Sequence, residues 1–99
     1  MAKEPIWVVA RVTARAEQVE TLKSLLLALV TPTREEPGCI SYQLLQNSAN
    51  PTDFTFLERW ESQATLDAHL ASPRIQQALA DAAQLLSEDL DMRCYTLLA

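Results

Sequence analysis

Along this chain the spacing of apolar residues alternates between the two-residue period of a strand and the 3.6-residue period of a helix. That succession leaves few folds open to it. Ile6 to Thr13 is rich in β-branched residues and free of breakers, and its even positions, Ile6, Val8, Ala10 and Val12, are all apolar. From about Glu17 the period becomes helical: Val19, Leu22, Leu25, Leu26, Leu29 and Val30 form one stripe, with Glu17, Gln18, Glu20 and Lys23 opposite. Pro32 should end or kink this helix, because it lacks an amide proton and crowds the carbonyl four residues back. Cys39 to Gln46, with Ile40, Tyr42 and Leu44 on one face, and Phe54 to Trp60 flank the polar stretch 47–53 and predict an antiparallel hairpin. Ser62 suits the N-cap of a short helix through His69 and Leu70. Ser72-Pro73 restarts a helix that would carry Ile75, Leu79 and Leu86 inward and end near Ser87-Glu88-Asp89. Leu90 to Leu98 reads as a last strand. The order β-α-β-β-α-β predicts an α+β, ferredoxin-like domain with an antiparallel sheet, spanning residues 1–99.

One glycine in 99 residues makes its position informative. In Glu36-Pro37-Gly38-Cys39 the Pro and Gly occupy the two central positions of a type II turn, where the second needs a positive φ. A single glycine also excludes a phosphate-cradling loop or a dinucleotide fingerprint, and no G-x-S-x-G elbow is present. One histidine cannot make a His-rich metal site, and Cys39 and Cys94 lie far apart, so no metal or cofactor is expected and the thiols read as buried and reduced. The net charge of −5 with no Lys/Arg cluster argues against nucleic acid. The longest apolar run, Leu25 to Val30, is far short of the ~20 residues of a membrane span. The start, Met1-Ala2-Lys3-Glu4-Pro5, lacks a signal-peptide core, which points to the cytoplasm. One sheet face would be left bare, holding Trp7, Val9 and Leu57 beside Arg11, Thr13 and Arg59; a second copy covering it predicts a homodimer with face-to-face sheets.

His69 is the group titrating nearest neutrality, and its place beside Leu66 and Leu70 puts it on or near the buried stripe of its helix. The same place suits a histidine that is only hydrogen-bonded in the core. Trp60, Phe56 and Tyr42 could wall an aromatic-tolerant pocket or simply fill the core. Glu58 lies between Phe56 and Trp60 on an apolar face and must find a partner there. Arg74, at a helix start, could bind an anion with the nearby amides or remain a solvated arginine.

Taken together, Glu36-Pro37-Gly38-Cys39, Asn50-Pro51, Leu57-Glu58-Arg59-Trp60-Glu61-Ser62 and Ala68-His69-Leu70-Ala71-Ser72-Pro73 resemble the antibiotic biosynthesis monooxygenase (ABM) domain family in order and spacing. The resemblance implies a dimeric α/β-barrel. It also implies oxidation of quinol-type or phenolic aromatic compounds by molecular oxygen without metal, flavin or haem, the deprotonated substrate supplying the electrons. Carried onto this chain, Trp60 becomes a pocket wall and His69 the proton acceptor, while Phe56, Tyr42, Glu58 and Arg74 become candidate substrate contacts. Departures narrow this: Arg74 stands where many relatives have a second histidine. Phe56 and Leu66 occupy the places of the Asn and Tyr of polycyclic-phenol members, and Leu79 and Ala10 those of the groups that haem-degrading members need. The same scaffold also serves isomerases of small phosphorylated carbonyl compounds and non-catalytic ligand-binding dimers.

Overall fold

The computed structural model describes residues 4–99. Met1 to Lys3, part of the stretch read above for a signal peptide, lie outside the described residues. Strand β1 (Ile6–Thr13) leads through one 3₁₀ turn (Ala16–Gln18) into helix α1 (Val19–Arg34). Strands β2 (Cys39–Gln46) and β3 (Asp53–Trp60) form the hairpin, helices α2 (Gln63–Ala71) and α3 (Pro73–Ala83) follow, and β4 (Asp91–Tyr95) ends the sheet. The strand order is β2-β3-β1-β4, with every neighbouring pair antiparallel. This is the ferredoxin-like α+β arrangement that the periodicities predict.

Alternation on β3 decides what the sheet buries. Phe54, Phe56, Glu58 and Trp60 are all buried, and β1 sets Val12, Ala10 and Val8 opposite the first three in register. Leu22 and Leu26 of α1 and Leu66 of α2 close over this face. Each large apolar side chain fully buried there contributes roughly 1.5–3 kcal/mol. No helix among the described residues is long and apolar enough to cross a membrane.

Several boundaries differ from the expectation. Pro32 does not end α1, which runs two residues further to Arg34; standing in the last turn, the ring removes one donor and the helix closes just after it. A bulge between Cys39 and Ser41 puts Cys39 opposite Trp60 and leaves Ile40 exposed, off the face that Tyr42 and Leu44 share. Helix α3 stops at Ala83, not near Ser87, because the following chain pairs with the end of β1: the Arg15 amide donates to the Leu85 carbonyl (2.8 Å) and the Ser87 amide to that of Thr13 (3.0 Å). Leu79, expected inward, is exposed, and β4 covers only Asp91–Tyr95 of the 90–98 predicted. Both cysteines are free, but Cys94, expected buried, is exposed: it stands opposite Val8 on the edge strand β4, which no further strand borders.

Candidate functional site

The site is built around the α1–β2 turn. Gly38 has φ +85° there, and a Cβ at that position would stand 2.3 Å from Thr65 Cγ2. Glycine is therefore required twice over, for the backbone conformation and for the close approach of α2. Two contacts hold α2 in place: the Glu61 amide donates to the Gly38 carbonyl (2.9 Å), and Ser62 caps the helix. The cap is reciprocal, with the Thr65 amide donating to Ser62 Oγ and the Ser62 amide to Thr65 Oγ1. One turn on, Leu66 and His69 share the buried side of the helix.

His69, 3% exposed, bonds through Nδ1 to both carboxylate oxygens of Glu36, at 3.1 and 3.0 Å. Arg74, second residue of α3 after Pro73, places Nη2 on the same Glu36 carboxylate and on Thr33 Oγ1 (3.2 Å). Four residues from four segments thus form one chain, Thr33–Arg74–Glu36–His69. A carboxylate can only accept, so Nδ1 carries a proton; in the tautomer this selects, the lone pair is on Nε2, which bonds no described residue. Glu36 is the member of this chain that sequence reasoning leaves out: the sequence reads it only as a turn residue, although it stands next to the Pro-Gly pair that orients it.

Aromatic rings surround the imidazole. Trp60 lies 4.6 Å from it, centroid to centroid and tilted by 35°; Tyr42 meets it edge-on at 5.9 Å, and Tyr42 packs on Phe56 at 4.9 Å. Burial, with Glu58 close by, pushes the Tyr42 phenol well above its ordinary pKa, so Tyr42 acts as a neutral hydroxyl. Arg34 Nε donates to the Tyr42 carbonyl (3.0 Å), fastening the end of α1 to β2.

Between the sheet and the helices lies a cavity of about 560 Å³. Its deep wall includes Tyr42, Phe56, Glu58 and His69; Leu79, Leu90 and Met92, all exposed, mark its rim. Most of the lining is aliphatic, with Arg15, Glu88 and Asp89 the charged groups away from the deep wall. Two candidates lie outside it. Trp60 is completely buried behind His69, and Arg74 is held on Glu36 and Thr33. Glu58 is 4% exposed, accepts a hydrogen bond from Trp60 Nε1 (2.9 Å), and is pushed up to about 7 by burial, against the opposing effect of that bond. No three His, Cys, Asp or Glu side chains gather as a metal site among the described residues.

The comparisons with known proteins agree with this architecture. The antibiotic biosynthesis monooxygenase family matches residues 5–81. The Mycobacterium tuberculosis protein "Putative monooxygenase Rv0793" is 39% identical over 83 residues, covering 84% of this chain and 81% of that protein. "Uncharacterized protein sll1783" of Synechocystis is 29% identical over 94 residues; the match spans 95% of this chain and 64% of that relative's length. Among solved structures, Rv0793 superposes with a TM-score of 0.91 at 32% identity, covering 97% of both chains. PA3566 from Pseudomonas aeruginosa gives 0.92 at 28%, covering 100% of this chain and 99% of that one. The turn that orients Glu36, the inward face of β3 and the histidine of α2 all fall within the matched residues, and the chain belongs to the antibiotic biosynthesis monooxygenase family.

Proposed function

We propose that this chain is a cofactor-independent monooxygenase that oxidises a quinol-type or phenolic aromatic compound with molecular oxygen. The observation that carries the reading is His69: its Nδ1 is held by Glu36, its Nε2 is unpartnered, and it lies in the wall of a largely aliphatic cavity. An aromatic ring of one or two cycles fits about 560 Å³ beside Phe56 and Tyr42. Nε2 accepts the proton of a ring hydroxyl, and Glu36, itself held by Arg74, stabilises the imidazolium that forms. The resulting phenolate is rich enough in electrons to reduce dioxygen directly. An apolar surrounding favours that transfer by removing the water that would otherwise stabilise the phenolate. Family membership and the name of the mycobacterial relative support oxygen chemistry.

A phosphorylated carbonyl substrate fits less well. Arg74 is committed to Glu36 outside the cavity, and the lining sets Glu58, Glu88 and Asp89 against a single Arg15. Dimerisation through the open sheet face belongs to the same reading. Trp7 Nε1 and Arg59 Nε are shut off from solvent with no hydrogen-bond partner among the described residues, beside the half-buried Val9 and Leu57, and a second copy would complete that face.

The test is oxygen consumption with a panel of reduced quinones. Turnover should vanish without dioxygen, and His69→Ala should lower kcat by roughly 10² to 10⁴ while leaving the fold intact by circular dichroism. An unchanged rate in the variant removes His69 from the chemistry. No consumption across the panel leaves a ligand-binding module.

A further inference from the structure

The mechanism above uses one proton acceptor and gives Glu58 no part, yet Glu58 is the carboxyl group of the deep wall. It points inward from β3 between Phe56 and Trp60. One oxygen accepts from Trp60 Nε1 at 2.9 Å; the other receives no hydrogen bond from a described residue. Among the described residues no cation pairs with it; the nearby guanidinium groups are engaged elsewhere, Arg34 on the Tyr42 carbonyl and Arg74 on Glu36. The titratable groups around it are Tyr42 and Cys39 on β2, Glu36 in the turn and His69 on α2; the β1 residue in register with it is Val8. Burial therefore acts on it unopposed by a positive charge among the described residues, and the carboxyl keeps its proton near neutrality.

Resting on the monooxygenase reading, we propose that Glu58 is a second catalytic residue, the acid that delivers a proton to the outer oxygen of a ring hydroperoxide while His69 acts as the base. The proton that His69 takes from the substrate hydroxyl goes to the peroxide when dioxygen bonds to a ring carbon that still carries hydrogen. In the next step His69 Nε2 removes that carbon's hydrogen as a proton, and the freed electron pair becomes the second bond of a new C=O. The O–O bond then breaks, and the outer oxygen leaves as water with the Glu58 proton. Dioxygen supplies one oxygen to the ring and one to water, and all four electrons it accepts come from the ring. Transfer of the His69 proton to the Glu58 carboxylate restores the starting state. Trp60 is a positioning residue here: its indole N–H fixes one carboxyl oxygen and so aims the other.

The experiment compares the unaltered protein with Glu58→Gln on 1,4-dihydroxynaphthalene and dioxygen, measuring oxygen uptake, hydroxynaphthoquinone formed and hydrogen peroxide released, less the rate without protein. Gln keeps an acceptor for Trp60 but has no acidic proton. We expect KM within about threefold, and hydroxylated product per oxygen consumed lowered about tenfold or more, the difference appearing as hydrogen peroxide. Uptake with unchanged coupling in Glu58→Gln overturns the acid role and leaves the monooxygenase reading standing. No uptake by the unaltered protein overturns both. Should Glu58→Gln fail to fold, Glu58→Asp decides instead: partial coupling with the alkaline limb of the pH profile displaced supports the role, and an unmoved profile with full coupling overturns it.

Discussion

The two faces of this sheet carry the same pair of chemical problems and solve only one of them. On the inner face Trp60 is fully buried, and its indole N–H finds Glu58 two residues back on the same strand. On the outer face Trp7 lies opposite Arg59 in register, with the guanidinium 5.3 Å from the ring centroid, and its N–H finds no acceptor among the described residues. Neighbouring positions on β1 and β3 thus place one indole in a finished environment and one in an unfinished one. The inner arrangement tolerates a buried carboxyl because the indole bonds it and a cavity lies beside it. The outer arrangement keeps a cation on the ring and, among the described residues, leaves a buried donor without a partner.

The inner indole offers the largest break. Trp60→Ala empties a site that α2 and the turn pack against and frees a buried carboxyl oxygen, so it should lower unfolding stability by about 3–5 kcal/mol in urea titrations. A loss near 1 kcal/mol would mean that the inner face is less fully packed than its burial implies. Somewhat smaller is the effect of Glu58 on stability against pH. Its carboxyl ionises near 4.5 when unfolded and near 7 when buried, so between those values the folded chain holds a proton that the unfolded chain has released. The stabilisation is complete below about 4.5 and is lost as pH rises through about 7, a change on the order of 3 kcal/mol. Subtracting the curve of Glu58→Gln, which cannot titrate, isolates it. Parallel curves from about pH 5 to about pH 8 would show that solvent reaches the carboxyl after all.

What the sequence disclosed divides along the same line. The inner face of β3 was readable residue by residue, because a period of two leaves no choice once Phe54, Phe56 and Trp60 are taken as inward. So were the turn at Gly38 and the cap at Ser62, whose chemistry is local. The bulge at Ile40 was not, since an extra residue in one strand shows only when its partner is known. Nor was the end of α3, decided by pairing with β1 some seventy residues away in the chain. At the site, His69 and Glu58 were visible as polar residues on apolar stripes. The bond from Glu36 to His69 joins residues 33 apart and depends on Thr65 seating against Gly38, which no spacing encodes. The family resemblance makes Trp60 a pocket wall; depth, which alternation does not report, puts it behind the imidazole.

The smallest expected effect separates the two indoles most sharply. Trp7→Phe keeps most of the ring under Arg59 and deletes only the N–H. Among the described residues of one chain that donor has no acceptor, so its removal relieves a desolvated group, and stability of the isolated chain should change by less than about 0.5 kcal/mol or rise slightly. If a second copy supplies the acceptor, as the dimer reading requires, the same substitution removes an intermolecular hydrogen bond. Dimer affinity measured by sedimentation equilibrium should then weaken about 5- to 20-fold, the equivalent of about 1–2 kcal/mol. The two quantities move independently, which is what gives the variant its value. Lower stability with unchanged association would place the acceptor inside the chain, and the outer face would then be as complete as the inner one. Weakened association at unchanged chain stability would show that the orphaned indole and its arginine are half of an interface, completed only when two sheets meet.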